Sequence, residues 1–197
     1  MNIRERIQDV LTREGKAILS VRVTDDFVAA VETLKACKGK VLTTGMGKAG
    51  LVARKLASTL CSTGTPATFL HPGEAAHGDL GVTAPGDCLV AFSTSGKTRE
   101  VIEVIKLARG LRLGKVIGIT SHPDSEIRGL ADILVDMGVI EEPCPLGLTP
   151  SASTAVMLAI GDALALALLE AKGVTREMYG QRHHGGYLGH KARTGNV

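Results

Sequence analysis

Residues 91–100 read Ala-Phe-Ser-Thr-Ser-Gly-Lys-Thr-Arg-Glu. Hydroxyl side chains at Ser93, Thr94, Ser95 and Thr98 surround Gly96, directly after the apolar run Cys88–Phe92, which has the pattern of a buried strand. A helix is expected from Arg99 to Ala108. A strand that ends in Ser, Thr and Gly and restarts as a helix suits an anion. The first helical N–H groups lack intrahelical acceptors, and the helix dipole favours negative charge there. Gly96 lets the backbone come close, and each hydrogen bond to a charged group contributes about 1.5–3 kcal/mol. The stretch is read as a phosphate cradle.

Two other phosphate patterns compete for the chain. Residues 91–98 end in Gly-Lys-Thr like a P-loop, but Ala91 stands where that motif has its first glycine. Gly45-Met46-Gly47-Lys48-Ala49-Gly50 has the dinucleotide spacing, yet Leu70 and His71 occupy the region where a ribose-binding acid is expected about 20 residues on. These glycines then serve a tight turn, with Lys48 projecting into a cleft beside a helix start. Glu100, either of Glu141 and Glu142, and His183 offer carboxylate or imidazole groups for proton transfer, the imidazole being the one that titrates near neutrality. His71, Glu74 and His77 run H-x-x-E-x-x-H, which is not the zinc-helix pattern and is an incomplete ligand set, so no metal is expected.

The elements that must hold these groups alternate along the chain. Helical spacing covers about 3–21, and Thr24 or Asp25 can cap a second helix to Ala36. Strands are expected at 40–44, 66–70, 88–92, 115–120 and 133–136. Helices are expected at 48–63, 99–108 and 125–130, with a long apolar helix capped by Ser151 and stopped by Gly173 near Lys172. This is an α/β chain: a three-layer sandwich around a five-stranded parallel sheet. One domain is expected over 1–197, with N-terminal helices about 2–37, an α/β core about 40–172, and a Gly/His-rich loop-like tail about 174–197.

Composition narrows the partners. The 197 residues carry a net charge of +3 and only 3% aromatics with no Trp, so neither stacking platforms nor a basic stripe for nucleic acid are present. The four cysteines form no CxxC pair and read as reduced, mostly buried thiols of a cytoplasmic protein. The N-terminus opens as a charged amphipathic helix rather than a signal peptide. The most apolar stretch, Ala155 to Leu169, contains Gly161 and Asp162 and is too short to span a bilayer. Being apolar nearly all round, it suits a central core or a subunit interface, with Asp162 buried in it.

Longer strings carry a resemblance. Val-Leu-Thr-Thr-Gly-Met-Gly-Lys (41–48), Gly64-Thr65-Pro66, His-Pro-Gly-Glu-Ala-Ala-His-Gly-Asp-Leu (71–80), Ser93 to Gly96, Cys-Pro-Leu-Gly-Leu (144–148) and Gly-Asp-Ala-Leu-Ala (161–165) together resemble the sugar isomerase (SIS) domain of arabinose-5-phosphate isomerases, over about residues 5–193. The resemblance implies a cofactor-free aldose–ketose isomerase that interconverts D-ribulose 5-phosphate and D-arabinose 5-phosphate through an enediol and supplies Kdo for lipopolysaccharide. It implies catalytic roles for Lys48, Glu100, Glu142 and His183, and pentose-phosphate binding by Thr43, Thr44, Gly47, Ser93, Thr94, Ser95, Gly96, Thr98 and His77. Either His183 or Glu142 then moves the carbon-bound proton. It further implies a homotetramer in which tail residues reach a neighbour's site. Such proteins commonly carry a CBS pair after this domain, so the chain is expected to be the standalone form. Lys97 stands where the family usually has an acid, and His184 where it has Pro. A phosphoheptose-type isomerase and a non-catalytic sugar-phosphate sensor are the alternatives on the same domain.

Overall fold

A computed structural model describes residues 2–194; Met1 and the last part of the expected tail, 195–197, lie outside the described residues. Five short runs form the sheet: β1 Val41–Gly45, β2 Ala67–Phe69, β3 Cys88–Phe92, β4 Val116–Thr120 and β5 Ile133–Asp136. β1, β3 and β4 are buried along their whole length. A strand covered on both faces has no solvent side to mark with polar residues, which is why these segments are apolar runs rather than alternations. Val41, Val90, Phe92, Ile117 and Ile119 pack to one face, and Leu42, Leu89, Ala91, Val116 and Leu134 to the other.

All pairings are parallel, in the order β2-β1-β3-β4-β5. Helices α1 (Ile3–Leu19) and α2 (Asp25–Ala36) precede the sheet, and α3 (Gly47–Ser62) follows β1. After β2 come α4 (Pro72–Ala75) and a 3-10 turn, then α5 (Arg99–Gly110) after β3 and α6 (Ala152–Ala171) after β5. The core on one face draws on α2, α3 and α6; the core on the other draws on α5. Strand order therefore reverses between β1 and β3, and their following helices leave on opposite faces. A crevice opens at that switch point, beyond the carboxyl ends of the strands.

Several expectations need correction. The tail is not a loop: it forms α7 (Arg176–Arg182), capped by the Thr175 hydroxyl, and α8 (Gly186–Thr194). Of the cysteines only Cys88 is buried, while Cys61 is exposed and Cys37 and Cys144 are half-buried. The apolar helix has 20 residues, long enough to cross a membrane by length and composition, and half of its apolar window is buried inside the fold. Asp162 is half-exposed and paired with Lys55. Ser151 stands at the N-cap position of α6, but its side chain makes no cap bond.

One buried ion pair ties the amino edge of the sheet. Asp87, 1% exposed, accepts from Lys40 Nζ at 2.7 Å, from the Lys40 amide at 2.9 Å and from the Ala84 amide at 2.8 Å. Burial pushes this carboxyl up, but the Lys40 ammonium and the two amides outweigh it and hold it below 3.8. A depressed folded value means the stabilisation is whole above the unfolded value and is lost as pH falls through the folded one. Asp87→Asn is expected to lower stability at pH 7 by about 3 kcal/mol and to flatten its decline below pH 3.8. Denaturant melts across pH check both; an acid limb as steep as wild type would contradict the assignment.

Candidate active site

The crevice is a cleft of about 240 Å³ lined by Met46, Lys48 and Ala49 after β1, by Phe92, Ser93, Thr94, Ser95 and Thr98 after β3, and by Pro150, Thr154 and Met157 at the start of α6. Three helix N-termini thus converge on one space. Those of α3 and α5 have no side-chain cap. Thr98 occupies the α5 cap position but its hydroxyl pairs with Ser93 Oγ at 2.8 Å instead, which leaves the first amides of α5 without a side-chain acceptor.

The cradle is held from behind. The Thr94 carbonyl accepts from Thr120 Oγ1 at 3.0 Å, from the Ser121 amide at 3.1 Å and from His122 Nδ1 at 2.9 Å, the last bond requiring the tautomer with its proton on that nitrogen. In a planar trans peptide the next N–H points opposite to the carbonyl. With Thr94 C=O drawn back, the Ser95 amide is turned forward. The Gly96 carbonyl is drawn back likewise, onto the Ile127 amide at 3.1 Å. Gly96 itself has φ +62, and a Cβ there would overlap the Ser125 hydroxyl. At the neighbouring turn, a Cβ on Gly45 would lie 2.9 Å from the Ala49 carbonyl, so α3 can start this close to β1 only on glycine.

Lys48 lies in the first turn of α3, exposed to the cleft, where the dipole disfavours a cation. Among the described residues it has no ion pair to offset that cost. Gly47, at φ +59, supplies the turn before it. Glu100 is half-buried in the first turn of α5, outside the cleft lining. Glu142 follows β5, and its carboxylate caps α6: Oε2 accepts from the Ser151 and Ala152 amides at 2.8 and 2.9 Å, Oε1 from Ser153 at 3.2 Å. A carboxylate has about four acceptor positions, so Oε1 keeps one free. The carboxylate is therefore fixed in direction with one acceptor position open; it lies outside the cleft lining, in an adjoining pocket with Arg6 and Arg13, and bonds to the residues between Pro150 and Thr154 of the cleft.

Four further expected residues lie outside the cleft lining. Thr43 and Thr44 are fully buried, their hydroxyls bonded to the Ala53 carbonyl at 2.7 Å and the Leu70 carbonyl at 2.8 Å, so they serve helix and strand packing instead of a ligand. His77 is exposed after α4, at the same sheet edge but outside the cleft lining. His183 is remote. The 20 residues of α6 run from the cleft to the amino edge of the sheet, a length of about 30 Å, where Lys172 Nζ donates to Thr65 Oγ1 at 3.0 Å. Arg182 lies against Gly64 at that same far edge, and the ring of the following His183 stacks on Tyr179 at 4.0 Å. Among the described residues no group of three or more His, Cys, Asp and Glu side chains gathers to hold a metal. The residues sequence reasoning missed are His122, behind the cradle, and Pro150, Thr154 and Met157, which only the direction of α6 brings to it.

Residues 34–167 match the family described as SIS domain. The chain belongs to the SIS domain family. This SIS domain is 46% identical over 181 residues to the arabinose 5-phosphate isomerase KdsD of Pseudomonas aeruginosa, covering 92% of the chain and 55% of that relative. It thus spans about half the length of the curated relatives it matches. Among solved structures it superposes on a Bacteroides fragilis protein assigned as a phosphosugar isomerase involved in capsule formation, with TM-score 0.91 and 46% identity over 94% of this chain and 100% of that one. It also superposes on an Escherichia coli CFT073 protein in complex with arabinose 5-phosphate, with TM-score 0.88 and 38% identity over 92% and 97%. The phosphoheptose isomerase GmhA of Neisseria gonorrhoeae shares the SIS fold at 19% identity and TM-score 0.65 over 86% and 99%.

Proposed function

We propose that this SIS domain is an aldose–ketose isomerase interconverting D-ribulose 5-phosphate and D-arabinose 5-phosphate. The observation that carries the reading is the cleft itself, a phosphate-sized cradle lined also by Lys48 and by the start of α6, the helix start that the Glu142 carboxylate caps, in a chain 46% identical to arabinose 5-phosphate isomerases. Ser93, Ser95, Thr98 and the open amides of α5 grip the phosphate. That places the C1–C2 end of a pentose toward Lys48 and the start of α6. A base removes the proton from C2 of the aldose, an enediolate forms, and the proton returns to C1 as hydrogen shifts between the two oxygens. Glu142 or His183 is that base, Glu100 serves ring opening or the oxygen protons, and Lys48 steadies the developing oxyanion. No step calls on a cofactor.

His183 has to come from another copy, since α6 carries its own tail away from the cleft. The surface supports an oligomer, which we assign as a tetramer. Ile3, Ile7 and Leu11 form an exposed apolar stripe on α1, at 67%, 57% and 60%. A nearly all-apolar groove of about 330 Å³ runs between α2 and α6, lined by Phe27, Val28, Ile160 and Leu164 among others. The pathway served is Kdo supply for lipopolysaccharide, in the cytoplasm.

The direct test incubates the pure protein with ribulose 5-phosphate, without metal or nucleotide, and identifies the products by NMR. Arabinose 5-phosphate is expected; no conversion, or conversion to another pentose phosphate alone, would overturn the reading. Ser95→Ala is expected to raise KM about 10-fold or more at nearly unchanged kcat, the value of one bond to a charged group. An unchanged KM would remove Ser95 from the cradle.

A further inference from the structure

Helix α1 looks peripheral: none of its residues is buried. Its polar side chains nevertheless converge on the segment that carries Glu142. Arg13 Nη2 donates to Glu141 Oε1 at 2.7 Å and to the Glu142 carbonyl at 3.3 Å. Arg6 donates to the Pro143 carbonyl. At the other end of the same loop, the Ser151 hydroxyl donates to the Glu14 carboxylate. This last bond explains a broken local rule. A serine at an N-cap normally turns its hydroxyl back onto its own helix. Ser151 gives its hydroxyl to Glu14 instead, and the Glu142 carboxylate takes over the three amides of α6.

We propose that Arg13 and Glu14 of α1 are positioning residues for the Glu142 carboxylate; this rests on the reading of Glu142 as a catalytic group. The two arginines fix the two peptide planes that follow the Glu142 Cα, and Glu14 holds the helix start onto which the carboxylate locks. The side chain is thereby set at both ends. An exposed ion pair such as Arg13–Glu141, whose carboxylate is 89% exposed, contributes about 0–1 kcal/mol to stability, so little of its role is to hold the fold together. A displacement of about 1 Å at a reacting group costs about 100-fold in rate, so the same contacts weigh far more on turnover.

The test compares Arg13→Ala, Glu14→Ala and Glu14→Gln with Arg4→Ala, an exposed α1 residue whose side chain makes no hydrogen bond or ion pair with the 141–151 loop. Two readouts are taken: steady-state kinetics on ribulose 5-phosphate, and hydrogen exchange of the Ser151–Ser153 amides. Arg13→Ala and Glu14→Ala are expected to lower kcat about 10–100-fold with KM within about two-fold, and to speed exchange at those amides. Glu14→Gln, which keeps an acceptor for Ser151, is expected to restore kcat to within a few-fold of wild type, and Arg4→Ala to match wild type in both readouts. Unchanged exchange in both alanine variants overturns the proposal whatever the activity. Full turnover in both, beside an inactive Glu142→Gln, overturns it while leaving the isomerase reading intact. A wild-type protein that does not convert the sugar overturns that reading and the catalytic meaning of the network with it. A loss of KM and kcat together that Glu14→Gln does not rescue marks these residues as merely structural.

Discussion

Glu142→Gln is expected to slow turnover of ribulose 5-phosphate by about 10²–10⁴-fold, the usual contribution of a positioned acid–base group, with KM near the wild-type value. The substitution separates the cap seen in the structure from the proposed role as a base. As a cap, Glu142 accepts three backbone amides at the start of α6. Glutamine keeps one carbonyl oxygen for them and turns an NH2 group toward the remainder, so part of the cap is lost at a cost of about 1 kcal/mol. As a base, Glu142 uses the free position on Oε1, which an amide cannot replace. A cap alone therefore predicts a slightly lower melting temperature with kcat within a few-fold of wild type. A base predicts the same modest melt with turnover nearly gone. Kinetics and a thermal melt on one preparation tell them apart, and an active Glu142→Gln enzyme removes this residue from the chemistry.

The architecture was legible because parallel strands buried on both faces leave an unmistakable trace. Cys88–Phe92 and Ile133–Asp136 have the bounds expected from their apolar runs, and the bounds of the other strands move by at most one residue. The turn after β3 was legible for a local reason: Ser93 to Thr98 is contiguous, and its glycine sits where φ is positive. What escaped was non-local. That Thr43 and Thr44 spend their hydroxyls on the carbonyls of Ala53 and Leu70 depends on how α3 and the segment after β2 pack, and no spacing rule encodes it. The helices of the tail were hidden because Gly180, Gly185, Gly186 and Gly189 dilute a weak period. Gly189 shows that at least one of these serves packing, since a Cβ there would strike the His183 carbonyl. The exchange of caps among Glu14, Ser151 and Glu142 joins residues 137 positions apart; a serine before an apolar helix reads as its own cap until α1 is seen beside it. Local rules that fail in a structure tend to fail at sites under functional demand, and this one fails beside the carboxylate proposed as a base.

The second large effect is expected at Gly96. Alanine there is opposed twice: by a backbone at φ +62, and by a Cβ that would overlap the Ser125 hydroxyl, lie 2.8 Å from Ser125 Cβ and 3.0 Å from Ile127 Cγ2. The segment behind cannot yield easily, because the Ser125 hydroxyl is held on the His122 carbonyl at 2.5 Å and Ile127 is fully buried. The loop is therefore the part that moves. Moving it breaks the Gly96–Ile127 bond and slackens the draw on the Thr94 carbonyl that turns the Ser95 amide toward the cleft. Losing the Ser95 amide bond to a phosphate, at about 1.5–3 kcal/mol, raises KM about 10-fold or more, and strain and overpacking lower stability by about 1–3 kcal/mol. Adding Ser125→Gly removes the overlap but not the left-handed backbone, so it is expected to recover part of the affinity and not all of it. Titration of arabinose 5-phosphate into each variant by calorimetry reads the binding directly. A Gly96→Ala protein that binds the sugar phosphate as wild type does would mean that the turn after β3 is not where the phosphate sits.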